Sequence, residues 1–214
     1  MRFMTSCAAL FFLAFAAQAQ VTTKNAEPTG AVTPDDMSRR LDESAQKIRK
    51  TGAAGADRAA QIDFAWAQDE EEYRALAKYV IVLVCAVSKN EKELPLKRVY
   101  IRDKWRHEVP LERISSELRE VPKDSAVYSV FGAYREDSFY LAPAQLMKGE
   151  GEVVADFAAN RSGFRLYGLP AEAPDFVEAD RHGKPARGAK PEPKALKAML
   201  EREYSGFKLP DGLQ

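Results

Sequence analysis

Few residues of this 214-residue chain are of a type that does chemistry, and the setting of each one limits it. The sequence has two histidines, and His107 is the one that sits in a candidate folded region beside a carboxylate, Glu108. Adjacent residues on a strand project to opposite faces, a poor arrangement for an acid–base pair. An enzyme using His107 is therefore the least favoured reading. Cys85 lies between Val84 and Ala86 in an uncharged run, where burial raises the thiol pKa and leaves the sulfur inert. Two histidines and one buried cysteine make no usual zinc site without several carboxylates. The acidic run Asp69 to Glu72 does not supply them, because successive carboxylates on a helix point in different directions. The sequence carries no G-x-S-x-G, H-E-x-x-H, P-loop or dinucleotide fingerprint. The expectation is a protein with no catalytic residue, no metal and no cofactor.

Binding chemistry is better represented. Lys97, Arg98, Arg102, Lys104 and Arg106 surround Tyr100 and Trp105. Interleaved cations and aromatics suit an anionic lipid or glycan, while a solvated strand face is the plainer explanation. Within this cluster Arg102, Lys104, Trp105 and Arg106 form the candidate contact, since an exposed tryptophan is a common interface anchor. A second basic set, Arg181, Lys184, Arg187, Lys190, Lys194 and Lys197, runs into a C-terminal helix. There Leu196, Met199, Leu200 and Tyr204 share one face at i, i+3, i+4 and i+8. A tethered amphipathic helix suits groove binding. These four residues are read as a partner contact, with covering by the chain's own sheet as the alternative.

The N-terminus reads as an address. Arg2 precedes an apolar stretch from Cys7 to Ala17, and Ala17-Gln18-Ala19 is a cleavage pattern. The stretch is too short to cross a bilayer, so no transmembrane span is expected in the mature chain. Cys7 opens the apolar stretch instead of closing it, which argues against a lipoprotein. Lysine plus arginine and aspartate plus glutamate each number 32. Loss of Arg2 leaves the chain close to neutral, which argues against a general nucleic-acid binder. Only Cys85 survives cleavage, so no intramolecular disulfide forms, and a bacterial periplasm is the expected compartment.

The elements that must position these residues are organised around Tyr79 to Val87, an uncharged run rich in valine. It predicts a central strand covered on both faces. Before it, Thr33 and Pro34 suit a helix start, with Arg49 and Lys50 in the last turn. Met37, Leu41 and Ile48 make a thin stripe, predicting a helix that docks weakly or waits for a partner. Residues 62–66 alternate like a strand although helical spacing also fits, and a short helix is expected at 69–77. Val99 and Ile101 suggest a strand in a hairpin with the central one. Residues 109–118 fit either a return strand or a helix, and 126–131 reads as a strand. Phe139 to Leu141 reads as a short strand, and 143–147 as one helical turn.

The clearest local signal is Asn160 to Gly163, a turn between Glu152–Ala159 and Phe164–Gly168. A hairpin closed on those four residues sets Phe157 opposite Leu166 and Ala159 opposite Phe164, with Asp156 and Arg165 as diagonal neighbours. Prolines and glycines from 174 to 193 mark a linker, and the last helix spans about 193–204 with Gly206 to stop it.

The fold class expected is mainly β: an antiparallel β-sandwich-like (Ig-like) domain with flanking helices. The alternative is α+β with a single antiparallel sheet. Residues 1–19 form the signal peptide, 20–56 a leader and weak helix, 57–170 the globular domain, and 171–214 the linker and terminal helix. Together these features point to an exported, non-catalytic domain acting by protein–protein contact in the bacterial envelope. The alternative is a binding module for an anionic envelope lipid or glycan.

Overall fold

The computed structural model describes residues 31–51, 58–89, 96–103, 105–147, 151–157, 165–167 and 188–213. The proposed signal peptide, the turn at 160–163, Lys104 and most of the linker lie outside the described residues. The described chain is mostly β, with two antiparallel sheets and a few helices.

The first sheet has the order β1-β2-β6-β5: β1 (Arg58–Ala65), β2 (Tyr79–Ser88), β6 (Tyr134–Pro143) and β5 (Glu112–Glu120). The second runs β4-β3-β7-β8: β4 (Glu108–Pro110), β3 (Leu96–Asp103), β7 (Gly151–Phe157) and β8 (Arg165–Tyr167). Every residue of β2 from Val80 to Val87 is fully buried, as its uncharged composition requires. β6 pairs along its whole length and β1 from Ile81 to Ser88, so both edges are occupied, and the full burial of Val80 to Val87 means that both faces are covered too.

Its two faces meet different layers. The face of Leu83, Cys85, Asp137 and Phe139 meets helices α1 (Pro34–Thr51) and α4 (Pro193–Glu203). Arg40 of α1 reaches Asp63 at 2.9 Å, and the Phe139 ring lies 5.2 Å from that of Tyr204, just beyond α4. On the other face, Glu136 receives the Leu96 N–H of β3 at 3.4 Å. Val99, Ile101, Val153, Ala155 and Phe157 of the second sheet belong to the same apolar core as Val82 and Val84. No helix among the described residues is long and apolar enough to cross a membrane.

Helix α1 begins where its sequence predicts. The Thr33 hydroxyl accepts the Asp36 N–H at 3.1 Å, and Asp36 accepts the Thr33 N–H at 3.1 Å, a reciprocal cap. Its docking is firmer than the stripe suggests. Ala45 adds a fourth buried position to Met37, Leu41 and Ile48, and small residues let a helix sit close to a sheet. The short helix expected at 69–77 is α2 (Glu70–Ala75), capped by Asp69.

Three expectations are corrected and one open alternative is decided. β3 makes no hairpin with β2, because both edges of β2 are already occupied and β3 belongs to the other sheet. Of the two readings open for 109–118, the strand holds: residues 112–120 are strand β5. Residues 126–131 are helix α3 (Ala126–Phe131), not a strand. Ser125 caps it by accepting the Tyr128 N–H at 3.1 Å. Asp42 of α1 accepts the N–H groups of Ala126 and Val127 at 2.8 and 3.3 Å. Those partners outweigh the β preference of Val127, Tyr128, Val130 and Phe131. Gly132 then ends the helix at φ +94°, where a Cβ would stand 2.6 Å from the Lys89 Cα.

The third correction is one of register. β7 and β8 do pair antiparallel, but Val153, not Phe157, faces Leu166. An offset of four residues keeps every side chain on its own face, so the alternating pattern does not distinguish the two registers. Asp156 meets Arg98 of β3 at 2.9 Å.

Candidate functional site

The turn joining β3 to β4 carries the candidate contact. The Asp103 N–H donates to the His107 carbonyl at 3.1 Å, and the Arg106 N–H donates to the Asp103 carbonyl at 3.0 Å. A three-residue turn of this kind puts its last residue in the left-handed region, usually as glycine. Here that residue is Arg106, at φ +67°. The Asp103 carboxylate braces the turn from inside. Its Oδ1 accepts the N–H groups of Trp105 and His107 at 2.9 and 2.8 Å. Its Oδ2 lies 2.9 Å from His107 Nδ1. Desolvation raises the Asp103 pKa, but the hydrogen bonds from His107 and Trp105 outweigh it and hold the carboxyl below its usual range.

Trp105, at the tip, is 63% exposed. Its ring is tilted against that of His107, with centroids 6.5 Å apart. Trp105 and Leu118 are the large hydrophobic side chains exposed among the described residues. A tryptophan held out on a braced turn loses little freedom when it docks.

The base of the turn is locked by charge. Arg98 and Arg102 stack on the Tyr100 ring, 4.3 and 5.4 Å from its centroid. Both also pair with Glu108, at 2.9 and 3.1 Å. Arg102 adds Glu152 at 3.0 Å and the Tyr100 hydroxyl at 2.8 Å. The Arg102 hydrogen bond is the largest influence holding Glu108 below the usual carboxylate range, with Arg98 adding to it. Arg102 is therefore engaged within the sheet, and it works as a brace more readily than as a free cation.

The remaining sequence candidates fall in different places. Arg106 is exposed beside Trp105. Leu196, Met199, Leu200 and Tyr204 are buried in the chain's own core. This corrects their reading as a partner contact: all four belong to the apolar core that the sheets share, and Tyr204 packs on Phe139 and Phe207. His107 pairs with Asp103 instead of Glu108, and its side chain is 75% exposed. Cys85 is buried, and desolvation pushes its thiol well above the usual range, with Asp137 adding to the effect. No group of three or more metal-ligating side chains occurs among the described residues.

Sequence reasoning missed a second polar feature. Arg135, Glu136, Asp137 and Ser138 of β6 are a polar run in the sequence, yet all four are buried. Asp137 holds Arg135 and Arg119, each at 2.7 Å, and Arg119 meets Glu117 at 2.9 Å. The Arg119 Nε–H is close to the Asp137 oxygen but not aimed along a hydrogen bond, so that contact is Coulombic. On the opposite face Glu136 takes Arg113 at 3.2 Å and the Ser138 hydroxyl at 2.8 Å. Two cavities flank this strand. One, of about 90 Å³, lies between Asp137 and residues 207–211. The other, of about 450 Å³, is a groove between α1 and residues 121–127. Neither is lined by His107. Compared with protein-family models, curated proteins and solved structures, the chain matches none.

Proposed function

We propose that this chain is an exported, non-catalytic domain that works by protein–protein contact in the bacterial cell envelope, with the β3–β4 turn as the contact. The single observation that supports this most is Trp105, 63% exposed at the tip of a turn braced by Asp103. Large aromatic anchors contribute most when they are preorganised and then buried at the centre of an interface. Arg106 adds a donor beside the ring, in a backbone position that costs a non-glycine residue roughly 1–2 kcal/mol. In the same reading the signal peptide delivers the chain to the periplasm, and the two sheets form a β-sandwich-like (Ig-like) body behind the turn.

The reading as non-catalytic rests on the exposed setting of the His107–Asp103 pair. Water screens such a pair, and a general base works best in an enclosed site of tuned pKa. Binding of an anionic lipid or glycan is the alternative use of the same turn. It is weakened by the engagement of Arg102 with Glu108 and Glu152.

The test is envelope crosslinking followed by capture of the tagged chain, with wild type and Trp105→Ala side by side. A partner protein held by wild type and lost with Trp105→Ala supports the reading. Equal recovery by both chains, or no specific partner, overturns it. Binding to anionic vesicles that salt abolishes would instead favour the lipid alternative.

A further inference from the structure

The groove between α1 and residues 121–127 is separate from the turn and has the make-up of a small-molecule site. Its volume of about 450 Å³ falls within the range of ligand pockets. Leu41, Val121 and Val127 supply apolar wall, while Ser38 and Arg135 supply polar lining. Arg135 is 5% exposed, so it is a desolvated cation with the small remaining exposure of a floor residue.

The partners of Arg135 define what it can still accept. Nε donates to Asp137 at 2.7 Å, and Nη1 donates to the Ser38 hydroxyl. Nη2 donates to the Pro34 carbonyl at 3.4 Å and to Cys85 Sγ at 3.7 Å. A guanidinium has five N–H groups, so these contacts leave one Nη1 hydrogen. The charges run in a row: Arg135, Asp137, Arg119, Glu117. Its positive end is Arg135, at the groove, and its negative end is Glu117, on the far side. Two carboxylates line the groove, Glu43 at its exposed rim and Asp42 in its wall, and Asp42 is already engaged. Asp42 Oδ1 holds the N–H groups of Ala126 and Val127, and Oδ2 holds the Gln46 amide at 2.8 Å.

From this arrangement we propose that the groove binds a small carboxylic acid with an apolar body. The carboxylate takes the remaining Nη1–H of Arg135 beside the Ser38 hydroxyl, and the body lies against Leu41, Val121 and Val127. A buried guanidinium favours a carboxylate over a neutral group of the same shape because the hydrogen bond is charge-assisted and poorly screened.

The experiment uses the full chain and titrates butyrate and phenylacetate against their neutral amides, butyramide and phenylacetamide. Backbone amide shifts are followed by NMR. The expected result is saturable movement of residues 38–46 and 121–127 with a carboxylate, and binding of its amide weaker by about tenfold or more. Glu43→Lys, at the exposed rim, should tighten carboxylate binding without touching the core. The proposal is overturned if neither carboxylate moves those residues, if amides bind equally well, or if Glu43→Lys has no effect.

Discussion

Arg106 is the residue on which the turn and its proposed use can be separated. In the left-handed region a side chain costs roughly 1–2 kcal/mol, while glycine costs about 0.5–1 kcal/mol in chain entropy. Arg106→Gly is therefore expected to leave stability unchanged or raise it by up to about 1 kcal/mol, measured by denaturant unfolding. Partner capture should fall in the same variant. A clear loss of stability would mean that Arg106 holds the turn together and is not kept there for contact. Asp103, by contrast, is structural. Its carboxyl is held below the usual range, so the brace is complete above the ordinary aspartate pKa and is lost as pH falls through the lowered one.

At the scale of elements, the terminal helix gives the sharpest prediction. Leu196, Met199, Leu200 and Tyr204 are each 5% exposed or less. Burial of such side chains contributes about 1.5–3 kcal/mol apiece before ordering costs. Truncation after Pro191 should therefore lower the melting temperature by roughly ten degrees or more, read by circular dichroism. An unchanged melting temperature would mean that α4 does not belong to the core.

Elements also show which parts of the fold were legible in the sequence. β2 announced itself because an uncharged valine-rich run has few other places to go. The start of α1 was legible because Thr33, Pro34 and Asp36 are local partners. Helix α3 was not, because the carboxylate of Asp42, which holds its first N–H groups, lies 84 residues away from Ala126. The same holds for Arg135 to Ser138, whose burial depends on Arg119 and Arg113 of β5 and Ser38 of α1 arriving from two other segments. Amphipathic spacing identified the face of α4 correctly, but spacing does not say whether a sheet or a partner covers it. Of the candidate site, the exposed tryptophan was foreseen. The bracing Asp103 and the locked Arg102 emerge only once β4 and β7 lie beside β3.

The described residues share one core across both sheets and the helices, and its buried tyrosines report on it. Desolvation, with Glu136 adding, pushes Tyr140 up to about 12 from the ordinary 10.0. Desolvation raises Tyr204 well above the same value, with Asp63 adding. The native state therefore keeps both phenols protonated while the unfolded chain releases their protons near pH 10. These two groups leave stability unchanged below pH 10 and lower it as pH rises above that value. Phenolate absorbance should show a fraction of the tyrosines ionising together with loss of circular dichroism. Complete ionisation in a folded protein would mean that the layers over β6 are not closed.

Whether the turn is the contact is tested most directly by placing a photo-crosslinking amino acid at position 106 or position 118 in growing cells. Leu118, 49% exposed on β5, is the other large exposed hydrophobic among the described residues. The account predicts a discrete crosslinked protein from position 106, abolished when Trp105→Ala is added, and none from position 118. A crosslink from position 118 alone, or one from 106 that survives Trp105→Ala, would contradict it.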